Sequence, residues 1–202
     1  MKKALAIILA LTVVLVCFAA CGSKTPTDAN TPTDAANTTV AAPSYADAVE
    51  VLTTIFAAYA EENVFPVAGG DEAHMDFENP APGKYDYTLT DELSVVAQFP
   101  VSQSANIEDA ATAMHMMNAN SFTGAAYKVK ADTDADAFAA EFKAALDNAQ
   151  WMCGFPEKFV VIKTGDYIVT AYGVADIMDY FKSTAATALE GSTVVLEGDI
   201  VA

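Results

Sequence analysis

The chain contains no arginine, only three cysteines, two histidines and one tryptophan among 202 residues. Each scarcity removes a class of function. Without arginine there is no guanidinium fork for bidentate recognition of phosphate or carboxylate. Ten lysines stand against 27 acidic residues, for a formal net charge of −17. A nucleic-acid binder needs a basic footprint, and this chain has none. The histidines and cysteines fall short of a four-ligand zinc site of the usual kind. There is also no glycine-rich phosphate loop and no Gly-x-Ser-x-Gly elbow. What is present is apolar mass: 53% hydrophobic residues against 18% charged, enough for one domain with a substantial core.

Part of that apolar mass sits at the start. Lys2 and Lys3 precede an unbroken apolar run over residues 4–20, in which Thr12 is the only hydroxyl. The run is short for a spanning helix and suits a signal peptide. It ends Phe18-Ala19-Ala20-Cys21-Gly22, which resembles the lipobox of bacterial lipoproteins, with Phe18 in place of the usual leucine. The resemblance implies a lipoprotein signal peptide over 1–20, cleavage before Cys21 and diacylglyceryl transfer to its thiol. An uncleaved N-terminal anchor is the alternative. Both expectations place the rest of the chain on the extracytoplasmic face of the cell membrane. Two acyl chains on Cys21 suffice for stable anchoring. Cys17 leaves with the leader and Cys21 is modified, so Cys153 has no intramolecular disulfide partner in the mature protein.

Residues 22–43 read GSKTPTDANTPTDAANTTVAAP, with the repeat TPTDA at 25–29 and 31–35. No apolar periodicity and almost no large side chain occur here, so residues 21–43 are expected to form a disordered Thr/Pro/Ala linker behind the lipidated cysteine. Its reach is on the order of 25 Å. It reads either as a spacer whose threonines are open to O-glycosylation or as a plain tether.

Residues 44–202 are expected to form a single α+β domain carrying 25 acidic residues against seven lysines. Ser44-x-x-Asp47 reads as a variant capping box. Tyr45, Val49, Leu52, Phe56 and Tyr59 then repeat at helical spacing, predicting a helix to about Asn63. Pro66, Gly69, Gly70, Pro80, Pro82 and Gly83 make residues 64–87 a long loop. Thr90-Asp91-Glu92 is expected to cap a short helix ending before Pro100. Residues 107–117 fit helix by composition and strand by position, and are read as strand. Residues 122–130 alternate with period two. Residues 132–150 form the clearest helix, with acids in its first turn and Phe138, Phe142 and Leu146 as its buried stripe. KFVVIK at 158–163 and YIVTAY at 167–172 flank Thr164-Gly165-Asp166 as a hairpin. KFVVIK is apolar on both faces and is expected to be central. A helix over about 176–189 and a short strand at 193–196 complete the order. The expected fold is therefore a mostly antiparallel sheet of about four strands with helices on one face.

Residues 117–189 also carry a family outline: a strand ending Tyr127-Lys128-Val129-Lys130, an acid-capped helix, the connector Phe155-Pro156-Glu157, a hairpin with Gly165-Asp166-Tyr167, and a closing helix. This resembles a domain of unknown function in lipoproteins of Gram-positive gut anaerobes, some of which are named bacteriocin transport accessory proteins. Relatives often have an acidic residue early in the first of these strands, where this chain has Thr123-Gly124. The resemblance implies an accessory role in peptide export and supplies no catalytic residue.

Four constellations invite chemistry. Asp132-x-Asp134-x-Asp136 looks like the start of a calcium loop, but Ala137 and Lys143 stand where that loop needs Gly and Glu; acids at a helix N-terminus are the plainer reading. Asp71, His74, Asp76 and Glu78 fall within eight residues of loop and are the candidate divalent-metal ligands, alternatively the carboxylates of a metal-dependent hydrolase. Cys153 with His74 or His115 is the only Cys-His pairing available, although Trp151, Met152 and Phe155 around it read as a packed connector that buries the thiol. Met114, His115, Met116 and Met117 resemble a soft-metal cluster; on a strand, successive residues face opposite ways and the cluster splits.

With no catalytic set, the expected function is a non-enzymatic binding or accessory role on a membrane-anchored lipoprotein, without cofactor. The expected partners are the membrane through Cys21, a cationic peptide matched to the acidic charge, or a membrane transporter. The alternatives are the metal-binding or hydrolytic reading of the 71–78 loop and a structural envelope protein without ligand.

Overall fold

Residues 44–201 are described by the structure, a computed structural model. The expected signal peptide at 1–20, the lipidated Cys21 and the linker at 21–43 lie outside the described residues. Helix α1 (Ala48–Ala57) opens at Asp47, whose carboxylate accepts the Glu50 N–H at 2.8 Å, while the Glu50 carboxylate accepts the N–H of Ala46. The box is thus built on Asp47 and Glu50, not on Ser44. The helix also stops earlier than expected, and a separate 3-10 turn follows at Glu61–Asn63. Val51, Leu52 and Ile55 are fully buried.

The loop expected over 64–87 contains two short strands, β1 (Val67–Ala68) and β2 (Gly83–Tyr85). Both pair antiparallel with β3 (Ile107–His115), one after the other along the same edge. Glycines make this close approach possible. A Cβ on Gly69 would stand 1.7 Å from the Thr112 carbonyl oxygen. Helix α2 (Thr90–Ala97) has Leu89 before it and no side-chain cap, so Thr90 is its first residue rather than its cap. It ends at Gln98 in the left-handed region, φ 54°.

Strand β3 settles the ambiguous segment as extended chain. It pairs with β4 (Phe122–Val129). Helix α3 (Ala135–Asn148) follows, with Asp134 accepting from the amides of Asp136 and Ala137 at 3.0 and 3.1 Å. The acids of 132–136 therefore include a helix cap. The hairpin β5 (Lys158–Thr164) and β6 (Tyr167–Gly173) leads into α4 (Ala175–Ala188) and a last strand, β7 (Thr193–Asp199).

The sheet has seven strands in the order β1-β3-β4-β6-β5-β7, with β2 beside β1 on β3, and every pairing is antiparallel. The expected count of about four is corrected upward because β1 and β2 are too short to show periodicity, and the last strand runs to Asp199, beyond the expected 193–196. KFVVIK has a neighbour on each side, as expected of an interior strand.

The helices do not share one face. Ala48, Leu52 and Ile55 of α1 join Phe181 and Ala185 of α4 over Phe122, Ala126, Val160, Ile162 and Val169. On the other face, Leu93 of α2 and Phe138, Phe142 and Leu146 of α3 cover Tyr127, Phe159, Val161 and Ile168. The reason lies in the central strands, whose alternate positions are apolar on both sides, so each face needs a cover. Burying each large aliphatic or aromatic side chain contributes roughly 1.5–3 kcal/mol.

Candidate functional site

The acidic loop between β1 and β2 is organised by one carboxylate. Asp71 is 5% exposed and accepts the N–H groups of Ala73 (2.9 Å), His74 (3.1 Å) and, across the loop, Asp86 (2.7 Å). The His74 ring lies against it, Nδ1 to Oδ1 2.7 Å. Burial pushes the Asp71 carboxyl up, but the Asp86 amide, the His74 ring and the Ala73 amide outweigh it and hold the group below the usual range. Asp76 is engaged elsewhere: its carboxylate accepts from the amides of Glu78 and Asn79 and from the Asn79 side chain, which lowers its pKa, the Asn79 amide first. The fold therefore joins Asp71 to His74 and leaves Asp76 and Glu78 to a separate exposed turn. Among the described residues no three His, Cys, Asp or Glu side chains are grouped to hold a metal.

Cys153 is free and exposed, which corrects the expectation of a packed connector. Trp151 turns inward onto Tyr172, ring centroids 5.4 Å apart, while Met152 is 89% and Phe155 58% exposed. Gly154 takes φ 112° between them, a turn that favours glycine. The connector is fastened from the β3–β4 turn: the Asn118 and Asn120 side-chain amides donate to the carbonyls of Cys153 (2.9 Å) and Gly154 (3.0 Å). Both imidazoles are engaged away from the thiol. His74 sits on Asp71, and His115 Nδ1 accepts the Met117 N–H at 3.2 Å.

The methionines come together where the strand argument separated them. β3 ends at His115, and the chain turns before Met117, so strict alternation no longer applies. A cavity of about 280 Å³ is lined by Met114, His115, Met116 and Met117 together with Met75 and Phe77 from the β1–β2 loop. Met117 is 86% exposed and Phe77 75%. With Met152 on the adjoining connector, five of the seven methionines of the chain lie at this end of the sheet. Met75 and Phe77 are some forty residues away in sequence, and no local pattern in the sequence marks them. Contiguous exposed apolar patches are a feature of interaction surfaces, and unbranched thioether side chains repack around varied partners.

The groove between α4 and β7 carries charge, and both of its lysines are paired. Lys158 binds Asp179 at 2.7 Å and Lys182 binds Glu197 at 2.6 Å. The Asp179 partner raises the Lys158 pKa. Among the described residues, no helix is long and apolar enough to cross a membrane.

Set against known proteins, the chain matches no family model, no curated protein and no solved structure. The functional reading therefore rests on the residues of this chain.

Proposed function

We propose that this chain is a lipid-anchored extracytoplasmic protein with a non-enzymatic role, taking up a cationic peptide with apolar side chains at the methionine-rich end of its sheet. The observation that carries the reading is the exposed Phe77, Met116 and Met117 around one cavity, with exposed Met152 and Phe155 on the connector fastened to Asn118 and Asn120 beside it. Apolar side chains seat on the thioethers, and the domain's 25 acidic residues against seven lysines attract the cationic ones. The lipobox resemblance at Cys21 supplies the anchor. The outline resembling lipoproteins named bacteriocin transport accessory proteins favours a role beside a membrane peptide exporter. In favour of that reading, β4, α3, β5–β6 and α4 follow one another in the order strand, capped helix, hairpin and helix. The hydrolytic reading loses support because Asp71 and Asp76 spend their oxygens on backbone amides.

A fluorescent cationic amphipathic peptide titrated at low salt tests the reading. Saturable binding is expected, weakened about tenfold by Met117→Ser with Phe155→Ser. Peptide binding that is absent, or unchanged in that variant, overturns it, and the former outcome favours a structural envelope protein. Metabolic acyl labelling that persists in Cys21→Ser overturns the anchor.

A further inference from the structure

A second cavity, of about 140 Å³, lies between the end of α1, the residues after it and the first turn of α4, lined by Tyr59, Asn63, Phe65, Asp176, Ile177 and Tyr180. Three of its walls are aromatic and stand at steep angles. The planes of Tyr59 and Tyr180 meet at 84° with centroids 4.9 Å apart, and those of Tyr59 and Phe65 at 65° with centroids 5.9 Å apart. The rings are held from behind. The Tyr180 hydroxyl accepts the Ala60 N–H at 3.0 Å, Phe65 stacks on His115, and Tyr59 packs on Phe56 at 5.2 Å. Tyr59 is nine-tenths buried, and its hydroxyl has no hydrogen-bond partner. At the rim stands Asp176, which forms no ion pair among the described residues, Lys158 nearby being bound to Asp179.

We propose that this corner is an aromatic cage for a quaternary ammonium head group. In an edge-to-face pair the ring that offers its edge keeps its own faces free to line the cavity, and a cation seated over a free face is attracted by the ring quadrupole. The cavity is smaller than the roughly 300–1,000 Å³ of pockets for drug-sized ligands, so it takes a head group rather than a whole molecule. A primary ammonium has three N–H donors to satisfy. A quaternary one has none, and it suits walls made of aromatic rings and Ile177. Asp176 supplies the counter-charge from the rim without closing the entrance. No local spacing in the sequence marks the cage, because its residues come from two segments more than a hundred residues apart. It shares only the Phe65–His115 stack with the methionine surface, and choline binding and peptide binding are read separately.

The test uses the full chain and two probes of equal shape, choline and its uncharged isostere 3,3-dimethylbutanol, followed by calorimetry and by the aromatic proton resonances. Choline is expected to bind saturably with shifts at Tyr59, Phe65 and Tyr180, and the isostere at least about fivefold more weakly. Asp176→Asn, a surface change, is expected to weaken choline about threefold to fivefold. Tyr180→Leu is expected to abolish binding, while Tyr180→Phe, which keeps the ring, retains it. Equal affinity for choline and the isostere overturns the cage in favour of a plain apolar pocket. No saturable choline binding, lysine methyl ester binding more tightly than choline, or unchanged affinity in Asp176→Asn also overturns it, and these readings stand even where Tyr180→Leu fails to fold.

Discussion

The His115 imidazole lies flat on the ring of Phe65, centroids 5.2 Å apart and planes within 15°. His115 also lines the methionine cavity and Phe65 also lines the aromatic corner, so this stack is the partition between the two sites. Phe65 meets Phe122 at 5.3 Å as well, which ties the partition to the core. Phe65→Ala is expected to lower stability by about 2 kcal/mol, a half-buried share of the usual aromatic truncation cost. Urea unfolding measures the loss. The resonances of Met117 and of Tyr59 should both move, whereas a change confined to one cavity would mean the stack does not link them.

Asp71 gathers the β1–β2 loop, and its acid response follows from that. Its folded pKa lies below the ordinary value because the Asp86 amide, the His74 ring and the Ala73 amide outweigh its burial. A depressed carboxylate adds stability in full above its unfolded value, near about 4, and loses it as pH falls through the folded value. Thermal melts between pH 7 and pH 3 should show this acid limb. Asp71→Asn should lose about 1.5–3 kcal/mol at pH 7 and flatten the limb, and an unchanged limb would remove Asp71 as its source.

The junction of β1 and β2 should tolerate no side chain. On Gly69 a Cβ meets the Thr112 carbonyl oxygen at 1.7 Å and the Gly83 nitrogen at 2.7 Å, both backbone atoms that cannot rotate aside. Gly69→Ala is expected to cost about 3 kcal/mol or more. At Gly154 only the Asn118 side-chain amide lies near, at 3.4 Å, and the burden is the backbone at φ 112°. Gly154→Ala should cost about 1 kcal/mol. Equal losses in denaturant unfolding would contradict this ordering.

Cys153 is expected to react with a maleimide as fast in the folded protein as after unfolding, because the thiol is exposed. Peptide mapping by mass spectrometry locates the adduct, with Cys153→Ala as the control. A bulky adduct there stands beside Asn118 and the methionines and should block peptide uptake. Protection of the thiol in the folded state would mean that the connector covers it.

Much of the fold is legible along the chain because the signals are local. Phe138, Phe142 and Leu146 at helical spacing mark α3, and KFVVIK and YIVTAY around Gly165 mark β5 and β6. The rest fails for physical reasons. Gly83-Lys84-Tyr85 is too short for period two, and only its pairing to Ala110, Ala111 and Thr112 makes it a strand. Thr90 has the residue type of a cap, yet the helix takes it as its first residue. Trp151 to Phe155 looks uniformly apolar, but only Trp151 finds a ring to cover it.

The sequence by itself determined the acidity, the absence of arginine, the lipobox-like stretch at Cys21, and a mixed helix and strand order, because composition and local spacing carry these. Tertiary structure alone decided that both sheet faces are covered, that Asp71 fastens a loop, that the methionines share a cavity, and that Tyr59, Phe65 and Tyr180 meet at one corner. Those outcomes depend on which distant segments the sheet brings side by side, and long-range contact is what local periodicity does not encode.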